Sequence, residues 1–272
     1  MDYTMAGVPQ TLTLAAVPPN SAAAINECVA AGRISWLGPL LLVSARTILW
    51  FTLQCLLALV LYILHRPAPF RTAGNWWMFY GTLSDLCCLF GIRHLTRGEG
   101  IRLRDIVGPV RLRFGRDIFL ALGILICGYP AVMAGSYLAG SLVFGSMAKV
   151  PADFILQHHS LPLWATLYTL IVWWIVQSAT EEMTYQGYAL PRLQALTGRT
   201  WIALSIVGFW WAAQHCMIPF VPDWRYVAYR FLMFVPLLLL WMAIYLCIRR
   251  LAPLIFAHWP MDLLVAFMTG VH

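Results

Sequence analysis

The chain has 272 residues, of which 61% are hydrophobic and 11% charged, with 13 tryptophans and a mean hydropathy of +0.74. No soluble globular domain of this size has that balance. The net charge of +7 belongs to membrane topology and attraction to anionic lipid, which leaves a nucleic-acid partner unsupported.

Residues 1–37 are small and polar, with Pro18, Pro19 and several alanines, and read as a flexible N-terminal tail. They lack the positive start and compact apolar core of a cleaved signal peptide. Apolar runs then fall at 38–64, 75–92, 117–145, 162–192, 201–220, 227–248 and 251–270. Each is long enough to cross about 30 Å of hydrocarbon as helix. A backbone in lipid must satisfy its own hydrogen bonds, and these runs are too long and uniformly apolar for barrel strands. The expected fold is therefore all-α, a polytopic integral membrane bundle of about seven transmembrane helices. It divides into the tail, two helices with a basic loop over 38–116, and a helical core over 117–272.

Arginine sets the orientation. The connection between the second and third runs carries Arg93, Arg97, Arg102, Arg104, Arg111, Arg113 and Arg116, an excess that stays in the cytoplasm. Counting from it puts Arg33, Arg192, Arg199, Arg249 and Arg250 on the same side, and Arg66, Arg71, Lys149, Arg225 and Arg230 on the other. The N-terminus is then cytoplasmic and the C-terminus outside. The bias of 17 arginines to 1 lysine points to a GC-rich bacterial genome, and so to a bacterial inner membrane.

Six of the seven cysteines, Cys55, Cys87, Cys88, Cys127, Cys216 and Cys247, sit in or beside apolar runs and read as small buried hydrophobes. Asp85 reads as a capped or water-facing aspartate, and His158 with His159 as solvated loop side chains. Trp76, Trp77, Trp164, Trp201 and Trp224 stand near span ends, as an interfacial belt requires. No Gly-x-Ser-x-Gly elbow and no His-Glu-x-x-His occurs.

Against this background Glu181 and Glu182 stand out, adjacent carboxylates inside the fourth run. A charge at the bilayer centre costs roughly 2.5–3.5 kcal/mol, and such residues mark sites by default. His215 lies in the fifth run, and His258 with Asp262 in the seventh. Three helices thus offer ionisable groups at buried depth. His258 and Asp262 are i and i+4, as are Trp211 and His215, so each pair shares a helix face. Consecutive glutamates diverge by about 100°, so one faces a reacting centre while the other braces it. Gln186, one turn beyond Glu182, is placed to donate to it.

The string Glu181-Glu182-Met183-Thr184-Tyr185-Gln186-Gly187-Tyr188, then Phe209 to His215, then His258 to Asp262, resembles the CPBP (Abi) family of intramembrane proteases, which includes the type II CAAX prenyl endopeptidases. The resemblance spans roughly residues 117–270. It implies peptide hydrolysis, with Glu181 activating a water, Glu182 supporting it, and His215, His258 and Asp262 holding the water and stabilising the oxyanion. It also implies a membrane-anchored protein or peptide as substrate. A divalent metal such as zinc on Glu181, His215 and His258 is one option, since His₂Glu is an acceptable catalytic shell, and water positioned without an ion is the other.

Two departures stand out. Gln186 occupies the usual arginine position, so that either Glu182 stays protonated or another cation, Arg46 or Arg192, replaces the arginine, and Pro260 falls between His258 and Asp262. The expected activity is that of an intramembrane endopeptidase. The alternatives are a proton- or ion-coupled transporter and a non-catalytic relative acting as an immunity or binding factor.

Overall fold

The computed structural model describes residues 18–155 and 161–270, so His158 and His159 lie outside the described residues. Among the described residues ten helices of five or more residues carry the architecture. They are α1 (Ala22–Ala30), α2 (Leu37–Ile63), α3 (Pro69–Gly74), α4 (Trp77–Glu99), α5 (Leu103–Val107), α6 (Phe114–Phe144), α7 (Leu163–Thr197), α8 (Thr200–His215), α9 (Trp224–Ile248) and α10 (Ala252–Gly270). Among the described residues there is no named strand, and the fold is an all-α membrane bundle.

Helix α2 shows why these sequences form such a bundle. Leu37, Leu41, Ile48, Leu59 and Ile63 are exposed on its outer side, whereas Val43, Arg46, Trp50 and Gln54 recur at spacings of three or four and are buried. The helix is apolar towards lipid and keeps its polar groups for the interior, the reverse of a soluble amphipathic helix.

Among the described residues five helices, α2, α6, α7, α9 and α10, are long and apolar enough to cross a membrane. The other two expected spans are helical but differ in character. Helix α4 runs on past the apolar stretch to Glu99, gathering Arg93, His94 and Arg97 in its last turns. Helix α8 has 16 residues and stops at His215, short of the expected 220.

The chain then turns back inside the bundle. Residues 216–223 are not helical, and other helices supply partners to their backbone: Gln54 bonds both the N–H (2.8 Å) and the carbonyl (2.9 Å) of Phe220. Tyr226 donates to the Pro219 carbonyl at 2.8 Å, and Arg230 to the carbonyls of His215 and Ile218 at 3.2 and 3.3 Å. Irregular backbone is tolerated at this depth only when protein satisfies it in this way.

The stretch expected to be a flexible tail is not uniform. Ser21 caps α1 through Ala24, and Ile25 and Cys28 bury against Ala195 and Leu196 of α7. This short apolar face finds a partner at the end of α7, which its small polar composition did not reveal. Trp77 also departs from the interfacial belt: it is buried, packing on Trp50 and edge-on against Trp173 at 5.0 Å, while Trp164, Trp201 and Trp224 are exposed.

Helices α6 and α9 form the most extensive pair, brought close by glycine. A Cβ on Gly135 would lie 2.0 Å from the Met233 carbonyl oxygen, a backbone atom that cannot swing away. Gly135→Ala is expected to destabilise the protein by about 1–3 kcal/mol through forced separation of the two helices, read as a lowered melting temperature of the detergent-solubilised chain.

Candidate active site

Helix α7 carries the glutamate pair at its middle and is not a regular α-helix. Residues Thr169–Trp173 and Met183–Ala189 are π-helical, and the second segment begins directly after Glu182. Such segments occur frequently at functional sites. The wider i→i+5 winding rotates the following side chains away from their α-helical positions. Gln186 lacks its expected partner: its amide oxygen and nitrogen are both buried without a hydrogen-bond partner among the described residues. The expected Gln186 to Glu182 hydrogen bond is therefore not formed. Because a buried amide without partners is costly, Gln186→Leu is expected to raise the unfolding free energy by about 1 kcal/mol. A thermal-unfolding comparison in detergent checks this.

The two carboxylates face different ways. Glu181 lines a cavity of about 290 Å³ together with His215, His258 and Asp262. Its Oε1 accepts from the Trp211 indole and its Oε2 from Gln177 at 2.9 Å. Glu182 is fully buried, and its Oε1 accepts from Trp241 at 2.8 Å and pairs with His258 Nδ1 at 2.9 Å. One carboxylate thus meets the cavity while the other holds the ring beside it.

His215 stands at the end of α8, where its Nδ1 bonds the Trp211 carbonyl at 2.8 Å. A carbonyl can only accept, so Nδ1 carries the proton and Nε2 is left as an acceptor. That Nε2 lies 3.9 Å from Glu181 Oε1, and Phe234 stacks on the ring at 3.7 Å. Tyr185 in turn stacks on Trp211 at 5.2 Å, so the residues holding Glu181 are themselves wedged in place.

His258 is bracketed by carboxylates, with Nδ1 on Glu182 and Nε2 3.5 Å from Asp262 Oδ1. The i,i+4 relation survives Pro260 inside the helix. Ser178 fixes the other oxygen of Asp262 at 2.7 Å.

The cation of the site comes from α2. Arg46, fully buried, donates to Asp85 on α4, to Gln214 at 2.7 Å and to Gln177 at 3.1 Å, and its Nη2 lies 3.6 Å from Glu181 Oε2. It therefore serves Glu181 rather than Glu182. Arg192, the other candidate, is engaged elsewhere: it forms a two-pronged pair with Glu99 and covers the Tyr188 ring at 4.1 Å. Asp85 is neither water-facing nor capping but the buried counter-ion of Arg46.

Sequence reasoning missed Gln177, Ser178 and Trp241, whose roles arise from pairings across 4, 84 and 59 residues. Only the first had a signal, since Gln177 and Glu181 share a helix face at i,i+4.

Among the described residues no group of three or more His, Cys, Asp or Glu side chains is arranged to hold an ion. His258 Nδ1 is taken by Glu182 at 2.9 Å, and its Nε2 faces Asp262 at 3.5 Å. The residues present do not fit a His₂Glu shell.

No curated protein and no solved structure matches the chain. Residues 162–264, which contain Glu181, Glu182, His215, His258 and Asp262, match the family model described as Rce1-like, type II CAAX prenyl endopeptidase Rce1-like.

Proposed function

We propose that this protein is an intramembrane endopeptidase that hydrolyses a peptide bond in a membrane-anchored protein or peptide of a bacterial inner membrane. The observation that carries this reading is the convergence of Glu181, His215, His258 and Asp262, from three helices, on one cavity inside the bundle. Peptide hydrolysis needs a nucleophilic water, a base for its proton and a donor for the oxyanion. A water between Glu181 Oε1 and His215 Nε2 has two acceptors for its protons, which leaves its lone pair aimed at a substrate carbonyl.

Glu181 takes the proton and later returns it to the leaving amine. Arg46, 3.6 Å away, compensates the carboxylate charge before the proton is taken and again after it is returned. His258, held by Glu182 on one side and more loosely by Asp262 on the other, turns an N–H to the oxyanion. Trp211 and Gln177 orient Glu181, and Ser178 orients Asp262.

The walls suit a substrate segment already at the membrane, since Trp173, Phe234, Leu237 and Trp241 offer apolar surface. The test compares the membrane proteome of a strain carrying Glu181→Gln with its parent. A membrane-anchored precursor is expected to accumulate in the mutant and to be trimmed in the parent. Identical membrane proteomes would remove the reading.

A further inference from the structure

The cavity is one-sided. Beyond the acid and histidine groups its lining includes Trp77, Phe154, Ile218, Pro219, Met268 and Thr269. All belong to the end of the bundle where α2 finishes, α4 and α7 begin and α10 finishes. The space exists because α8 stops at His215 and the chain folds back over residues 216–223, leaving a vestibule above the glutamates.

The opposite end is shut. Gly187 sits so close to α5 that a Cβ there would lie 2.4 Å from Ile106, and Tyr185, Leu190, Leu193 and Val207 are completely buried. Two ion pairs, Arg192 with Glu99 and Arg250 with Asp117, lock helices together at that end.

Charge then says which end is which. Of the eighteen basic residues, Arg46 is interior and only five lie at the cavity end, so twelve lie at the closed end. One of the five, Arg230, is turned inward to backbone carbonyls. Basic residues near span ends stay in the cytoplasm. The closed end is therefore cytoplasmic.

We infer that the cavity is reached from the non-cytoplasmic side of the membrane, so the substrate is a polypeptide segment presented on that side, apolar enough to line against aromatic walls, and not a cytoplasmic tail. This rests on the peptidase reading of the same cavity for the word substrate, but the sidedness is testable without turnover.

The experiment uses the full chain in intact cells and a membrane-impermeant maleimide, with the unsubstituted chain as the control for its native cysteines. Met268→Cys and, as a second variant, Leu264→Cys place a thiol at the cavity, and Arg199→Cys places one at the closed end. The cavity thiols are expected to label before permeabilisation and Arg199→Cys only after it. The reverse order, or no labelling of either cavity variant until the membrane is opened, overturns the inference. Because labelling needs no catalysis, a chain that labels as expected and cleaves nothing defeats the peptidase reading alone.

Discussion

Glu181→Gln is expected to reduce cleavage by roughly 10²–10⁴-fold, the usual contribution of a positioned general base. The substitution keeps the shape of the side chain and removes its charge and its capacity to take a proton. The surroundings respond little. Trp211 still finds an oxygen to donate to, while the new amide faces the Gln177 amide across the 2.9 Å contact. Gln177 cannot simply flip, because its oxygen accepts from Arg46. A modest loss of stability, about 1 kcal/mol for one mismatched hydrogen bond, accompanies the loss of rate. The measurement is hydrolysis of a membrane-anchored reporter peptide in proteoliposomes, with helical content followed by circular dichroism. Cleavage within a few-fold of the wild type would assign the base elsewhere.

Arg46→Leu is expected to be the most destabilising single change, costing about 3–5 kcal/mol, because it strands Asp85 as a buried charge without a partner. Both members of that pair are fully buried, so water cannot step in. The double variant Arg46→Leu/Asp85→Leu removes both charges, and packed apolar groups often replace a buried pair at little cost. It is expected to recover most of the lost stability. Activity is not expected to return, because Glu181 loses the guanidinium 3.6 Å from its Oε2. A double-mutant cycle on unfolding midpoints, with turnover measured on the same preparations, separates the two roles. Equal melting of Arg46→Leu and wild type would show that the pair holds nothing together.

The fate of Gln186 explains why some features of the site were legible in the sequence and others were not. Its spacing from Glu182 argued for a hydrogen bond on a regular helix. The π-helical segment Met183–Ala189 breaks that regularity, and no residue pattern in the string announces it. Arg46 was legible as an anomaly, a cation inside an apolar run, but its partner was not: a helix shows which of its faces is polar and never which neighbour will meet it. The choice between Glu181 and Glu182 was decided by Arg46, Trp211 and Gln177 on one side and by Trp241 and His258 on the other.

By itself the sequence determined the all-α membrane class, the approximate spans and which ionisable residues stand inside them. Hydrocarbon makes each of these a one-dimensional property: length and apolarity define a span, and a charge within it is costly wherever it sits. Only the tertiary structure decided that α8 ends at His215, that Glu181 rather than Glu182 meets the cavity, that His258 is held between two carboxylates and that the cavity opens at the less basic end. These depend on contacts between helices far apart in the chain, where side-chain shape and the need to pair every buried polar group choose among arrangements that the apolar pattern leaves equivalent.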